Sequence, residues 1–416
     1  MKTMILFLAA VAIVTVGCSE NPYHAKGKDE IKSGLAAQVA EIQDDDTIND
    51  KEKSRRLTRI GKVLLETPKG ADAALEILDM ALAKDSQNLE ANLYSAALLP
   101  VHALKGIAFR STKLATGPVV AEIVDDILED LHNSDVQNLV SDLLQSSELG
   151  QVFKTPSELQ DYLSNNVMPA IKEAQKRVAV VENENTFHST FNFRHWQDGF
   201  HFITTVTFDQ AEVRSLKIVL TAMEAAIKVA TAYDIEAAVT LRDKFMGQKV
   251  ITMKDVVEEI KKHATALTLK AGGAEGLKSI LASASDAMEG LKLIARLLNN
   301  QDKREGMLLH PFRSQGHFSE FMAGLNYAAD ILVGPTNVVI GREKETYKRV
   351  YVLANAPVVF SAPIEDLKTL LPTAFNKDGQ KATEFGDLSF GGIIPNSDLI
   401  EKACQMDKEH QNIECP

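Results

Sequence analysis

The residues best suited to chemistry in this chain are histidines, and they fall in two groups. His188, His195 and His201 share one short stretch. A zinc site needs three or four ligands converging on one point. His195 and His201 flank the turn Gln197-Asp198-Gly199, and strand alternation would set them on opposite faces. No cysteine and no His-Glu-x-x-His helix stands near to complete a ligand set, so these three read as surface or packed histidines and no metal is expected. The second group is His310-Pro311-Phe312-Arg313 with Ser314 and His317. A hydrolase would need Ser314 as nucleophile, a histidine base and an acid to orient that base. No Gly-x-Ser-x-Gly elbow surrounds Ser314 and spacing identifies no acid, so no catalytic residue is assigned. Asp44-Asp45-Asp46 reads as a solvated helix end. Asn376-x-Asp378-Gly379 starts like a calcium loop, but Phe385 stands where the bidentate Glu belongs. Gly391-Gly392 lacks the Lys and Ser/Thr of a phosphate cradle. No cofactor is expected.

The N-terminus carries an address. Lys2 precedes an apolar run from Met4 to Val16, the length of a signal-peptide core and too short to span a bilayer. Gly17-Cys18-Ser19 follows. This arrangement resembles the lipobox of bacterial lipoproteins, with Thr15 where Leu is usual. The resemblance implies cleavage before Cys18, lipidation of Cys18 and attachment to a membrane of the bacterial cell envelope. Ser19, not Asp, implies the outer membrane of a two-membrane cell. Residues 1–17 are then a signal peptide. Residues 18–33 are a tether whose polar composition, with Asn21-Pro22 and Gly27, cannot form a core. No later stretch is apolar enough to span a membrane, which leaves the lipid as the expected anchor.

The full chain has 416 residues, 45% hydrophobic and 25% charged, enough for one large globular domain or two. Its formal net charge is -12, and losing Lys2 with the signal peptide takes it to about -13. Such an acidic body argues against nucleic acid as a partner and against broad adhesion to anionic lipid. With Cys18 lipidated, Cys404 and Cys415 remain, and an even pair in an exported protein predicts a structural disulfide. Closing so short a loop stabilises by roughly 3 kcal/mol. The spacing is not the Cys-x-x-Cys of metal or redox sites.

The elements around these residues are mostly helical. In the N-terminal region, 34–186, Leu57, Ile60 and Leu64 repeat at helical spacing, and Thr67-Pro68-Lys69-Gly70 breaks that helix. A second helix runs from Ala71 to Lys84 with Ala74, Leu78, Ala81 and Leu82 on one face. Asp85-Ser86-Gln87-Asn88 is a turn, and a third helix starts over Leu89–Leu99 with Ala96 facing back. This stretch resembles the tetratricopeptide repeat. Ala74, Leu78 and Ala81 fall on the repeat's second-helix Ala, aromatic and Ala places; Ser86 stands at its turn proline. Ala96 falls on the small first-helix place, Leu99 where an aromatic is usual, and Asn92 where Trp is usual. The resemblance implies closely paired helices and a binding face. It covers about one and a half repeats, so further helices must cap the stack.

Later segments are read from period and punctuation. Ile123, Ile127 and Leu131 line one helix. Thr155-Pro156-Ser157-Glu158 opens another that runs toward Val181, kinked near Pro169. Residues 187–208 alternate and predict a β-hairpin insertion, the best candidate divide in the chain. Residues 209–333 predict a long-helix bundle. It opens with Asp209 and Glu212 capping a helix through Val213, Leu216, Leu220, Met223, Ile227 and Ala230. Gly272-Gly273 breaks it before a second seam from Leu277 to Leu298, and Phe318 to Leu332 is a further helix. The segment 334–416 is irregular: short strands at Arg349–Leu353 and Val358–Ser361, a short helix over Ile364–Leu371, and a turn at Asn376–Gly379.

The expectation is a mainly α fold: tetratricopeptide-like hairpins continuing into a long-helix bundle, with a small β-hairpin and an irregular C-terminal tail. The expected role is a membrane-tethered, non-enzymatic scaffold that binds another envelope protein or peptide. The alternatives are a carrier for a lipid or other hydrophobic ligand in a helical cavity, and an envelope enzyme.

Overall fold

The computed structural model describes residues 28–65, 70–114, 151–197, 200–245, 250–300, 309, 312–342, 349–387 and 389–393. Cys18, Cys404, Cys415, His310 and the expected helix over Ile123, Ile127 and Leu131 lie outside the described residues. Within them the fold is mainly helical, with three two-stranded antiparallel sheets. The α-helices longer than four residues are α1 (Lys28–Asp44), α2 (Asp50–Leu65), α3 (Ala71–Lys84), α4 (Leu89–Leu104), α5 (Pro156–Tyr162), α6 (Met168–Glu182), α7 (Gln210–Ala232), α8 (Ala237–Phe245), α9 (Met253–Lys262), α10 (Gly273–Asn300) and α11 (Gln315–Val333). The strands are β1 (Ser189–Gln197), β2 (Phe200–Phe208), β3 (Thr336–Arg342), β4 (Arg349–Ala354), β5 (Pro372–Phe375) and β6 (Ala382–Phe385). The chain divides into two compact units. The first is Met1–Phe153, Ser164–Glu224 and Gly290–Phe318; the second is Lys154–Leu163, Ala225–Glu289 and Ser319–Pro416.

In the first unit, α2 packs on α3, α3 on α4, and α4 on α6. The acidic run does end a helix: α1 stops at Asp44, and Asp45 accepts hydrogen bonds from the Thr47 backbone N–H and hydroxyl. Leu57, Leu64, Ala74, Leu78 and Ala81 are fully buried, as the helical spacing predicts. Each of the leucines contributes about 1.5–3 kcal/mol relative to exposure. Small size matters at one crossing: a Cβ on Gly61 would lie 2.9 Å from Leu78 Cγ and Cδ2. Along α6, Ile171, Ala174, Val178 and Val181 repeat at 3-4-3 spacing and are all fully buried. The kink expected near Pro169 is a π-helical turn, Leu163–Val167, directly before it. Proline cannot donate the helical hydrogen bond back to Asn165, and a local change of register absorbs the loss.

The expected hairpin is present, with β1 and β2 paired antiparallel from Ser189↔Phe208 to Gln197↔Phe200. It belongs to the helical core, since Phe191 is buried there and Phe208 packs against it. Their rings lie 6.2 Å and 6.1 Å from that of Tyr94. Helix α7 follows, with Val213, Leu216, Leu220 and Met223 buried. Ala211 packs with Ile294 and Leu298 of α10, and Leu309 and Phe312 close this cluster.

The second unit is knit by backbone capping. Gln160 is 1% exposed; its Nε2 donates to the carbonyls of Ala230 (2.8 Å) and Tyr233 (2.7 Å), and its Oε1 accepts from Lys270 (3.1 Å). These bonds occupy carbonyls at the C-terminus of α7, which a helix leaves unpaired. Ala232, Leu277 and Ile280 form the apolar cluster beside them. Thr155 caps α5 as expected, accepting from the Glu158 N–H at 3.3 Å. One expected strand is corrected: Val358–Ser361 is a helical turn. Pro357 presets its φ at -57°, and Ser361 N–H donates to the Pro357 carbonyl at 2.8 Å, which overrides the strand preference of Val-Val-Phe. The helix expected over Ile364–Leu371 shortens to a 3-10 turn at Leu367–Leu370. The turn at Asn376–Gly379 joins β5 to β6, two strands the sequence reading did not anticipate.

Gly61→Val is expected to lower the unfolding free energy by about 2 kcal/mol, because buried Leu78 has no room to yield. Gly324→Ala, where a Cβ meets nothing within 4 Å, is expected to raise it by up to about 1 kcal/mol. Urea unfolding followed by far-ultraviolet circular dichroism measures both.

Candidate functional site

The first unit carries a buried polar seam that begins on α2. Ser54, Thr58 and Lys62 stand four residues apart on one helix face and meet α4. Asn88, the N-cap of α4, donates through Nδ2 to Ser54 Oγ (2.8 Å) and Thr58 Oγ1 (3.0 Å). Its Oδ1 accepts from the Ala91 N–H at 3.1 Å, so one side chain both caps its own helix and fastens it to α2. Further along, Lys62 Nζ donates to Glu90 Oε1 at 2.6 Å. Ser189 Oγ donates to the same carboxylate at 2.5 Å and bonds the Tyr94 hydroxyl at 2.8 Å. Burial pushes the Tyr94 phenol well above its ordinary pKa; its hydrogen bond to Ser189 works in the opposite direction, and the Glu90 charge adds to the rise. Tyr94 is therefore a neutral hydrogen-bonding group that joins β1 to α4.

Two open clefts adjoin this seam, and both are lined by Thr186, Phe187 and His188. The larger, about 960 Å³, lies at the helix ends, among Lys51, Arg55, Lys84, Gln87 and Glu90. Its charges are largely committed. Glu52 holds Arg55 at 2.7 Å and Arg56 at 3.0 Å, and these bonds draw the Glu52 carboxyl down to about 2. The smaller cleft, about 670 Å³, is lined by Asp209, Gln210, Arg214, Leu293 and Leu297. Arg214 is paired with Glu182 at 2.6 Å.

Asp209 and Glu212 do cap α7, as the sequence predicts. Asp209 Oδ1 accepts from the Ala211 N–H at 2.7 Å, and Glu212 Oε2 accepts from the Asp209 N–H at 3.0 Å. Glu212 Oε1 also accepts from the Leu309 N–H at 3.2 Å. Burial raises the Glu212 carboxyl to about 7, aided by its hydrogen bond to Asp209 and by that neighbour's charge. Elsewhere Asp72 bonds His102 (3.1 Å) and Lys105 (2.7 Å), and His102 first, then Lys105, holds its carboxyl far below the usual range.

His195 and His201 are not set on one face of the hairpin. His188 is exposed at the shared wall of the clefts. His201 pairs with Trp196 and His195 with Phe202, so the two occupy register positions of opposite parity. Ser314 Oγ accepts from the His317 N–H at 3.3 Å and lies 3.3 Å from His317 Nδ1. This is the geometry of an N-cap on α11. Among the described residues no three His, Cys, Asp or Glu are placed to hold a metal ion, and no helix is long and apolar enough to cross a membrane. Asp387 binds the N–H groups of Ser389 and Gly391 within its own loop, which accounts for the turn at Gly391-Gly392. The seam itself was missed by sequence reasoning, apart from Asn88 as a turn residue.

No family model matches the chain, and no curated protein and no solved structure matches it.

The raised Glu212 carboxyl makes a signed prediction. Folding favours its neutral form, so this stabilisation is complete below about pH 4.5, the ordinary glutamate value, and is lost as pH rises through about 7. Glu212→Gln removes the titration. The stability of the variant relative to the unsubstituted chain is expected to rise between pH 5 and pH 8 by on the order of 2 kcal/mol. Parallel pH profiles of the two chains in denaturant check this.

Proposed function

We propose that this chain is a non-enzymatic, lipid-anchored adaptor of the bacterial cell envelope, whose tetratricopeptide-like stack binds another envelope protein or an extended peptide. The observation that carries the reading is the larger cleft, open to solvent and lined by the ends of α2–α4 together with Thr186–His188. Support comes also from the close approach at Gly61 and from the sequential packing of α2, α3, α4 and α6. Paired helices of this kind present extended binding surfaces. The cleft offers Lys51, Gln87 and His188 as exposed polar groups, which suits a peptide better than an acyl chain. A tether through Cys18 holds that surface at the membrane and raises the local concentration of any partner there.

A photo-crosslinking residue at Gln87 in intact cells tests the binding reading. One envelope protein is expected to crosslink from Gln87 and to be lost in Lys51→Glu/His188→Glu; crosslinks no different from those at exposed Lys176 on α6 contradict it. For the tether, Cys18→Ser is expected to release a folded protein from the membrane fraction. Retention of that variant after a salt wash rules out a single lipid anchor.

A further inference from the structure

The smaller cleft of the first unit differs in chemistry from the larger. Its apolar wall is Leu293 and Leu297, one turn apart on α10 and both partly exposed. Buried Phe187 adds to it. Its charged lining is one carboxylate, Asp209, and one guanidinium, Arg214, with the imidazole of His188. Arg214 is held by Glu182 at 2.6 Å, and the same carboxylate takes Lys217 at 2.6 Å. Asp209 and Glu182 thus offset Arg214 and Lys217, and Glu212, buried behind Asp209, stays neutral up to about pH 7. A charged group entering this cleft loses water and meets no unopposed partner. An apolar side chain gains from burial against the leucines.

The larger cleft has the opposite character. Lys51, Arg55 and Lys84 stand there with Glu52, Asp85 and Glu90. The two clefts meet at Thr186–His188, and Thr186 and His188 are exposed on that common wall. Ser189, next in sequence, bonds Glu90 at 2.5 Å and Tyr94 at 2.8 Å, so the wall is anchored to α4. A ligand that crosses it must offer polar groups on one side and an apolar group on the other. An extended peptide does so, because each residue brings its own side chain while the backbone continues. An acyl chain has no polar stretch for the larger cleft.

We propose that one extended peptide lies across Thr186–His188, with a polar stretch in the larger cleft and a bulky aliphatic or aromatic side chain seated on Leu293 and Leu297 in the smaller. This rests on the peptide-binding reading of the larger cleft and adds the residue class that selects the partner. The smaller cleft is the specificity pocket: an acidic or basic residue at that place finds no counter-charge and is disfavoured.

Photo-crosslinking residues placed singly at Leu297 and at Gln87 of the full chain, in intact cells, test this. Both positions are expected to capture the same envelope protein. Mass spectrometry is expected to map the two attachment points to one tract, no more than roughly ten residues apart, the reach of about 33 Å of extended chain. The tract is expected to carry an aliphatic or aromatic residue at the Leu297 attachment point. Leu293→Asp is expected to lower the yield from Gln87 several-fold, and Leu293→Met to keep it. Leu297→Asp replaces the first variant should that one melt early. A Gln87 crosslink without one from Leu297, or attachment points in different proteins or at a charged residue, overturns this inference and leaves the peptide-binding reading standing. A Gln87 yield no different from that at Lys176 overturns both.

Discussion

The first unit depends on polar groups that are buried together and must therefore satisfy one another. Ser54, Thr58, Asn92, Ser95 and Ser189 are all 3% exposed or less, and leaving one such group unpaired costs about 1–3 kcal/mol. Ser54, Thr58 and Ser189 reach Asn88, Tyr94 and Glu90 only when α2, α4 and β1 stand in one arrangement, whereas Asn92 and Ser95 bond carbonyls of their own turn and helix. Asn88 ties the start of α4 to Ser54 and Thr58, and Ser189 ties the start of β1 to Tyr94 and Glu90. The apolar contacts supply most of the stability. The seam supplies the register, because a slide of one helix turn would strand several donors at once. The walls of the larger cleft follow from that register, since Glu90 and Asn88 belong to both.

Much of the helical layout was legible because spacing and punctuation agree. Leu57, Leu64, Ala74, Leu78 and Ala81 announce two facing stripes, and Asp85–Asn88 announces the turn that separates α3 from α4. The partners of polar residues were not legible. Ser54, Thr58 and Lys62 carry no sequence signal of their role, because their partners stand about thirty residues away in sequence. Asn92 looked like a departure from the tetratricopeptide pattern; its Nδ2 serves the Ser86 and Asn88 carbonyls at 2.9 Å, which gives a buried amide a local use. Val358–Ser361 misled because β-branched and aromatic residues favour strands, whereas Pro357 and a local hydrogen bond decide so short a segment.

The same logic separates packing from chemistry across the described residues. Asp209 lines the smaller cleft while Glu212 is buried behind it, and their oxygens accept from the Ala211, Asp209 and Leu309 N–H groups at the start of α7. Ser314 and His317 are likewise accounted for by a helix start. What remains open to a partner in the first unit is the cleft beside the seam.

The central claim is that the seam fastens the hairpin to the helical stack. A double-mutant cycle between Tyr94→Phe and Ser189→Ala, measured by chemical denaturation, tests it most directly. A coupling energy of at least about 1 kcal/mol is expected for a buried bond at 2.8 Å. Losses that add to within about 0.3 kcal/mol would contradict the account.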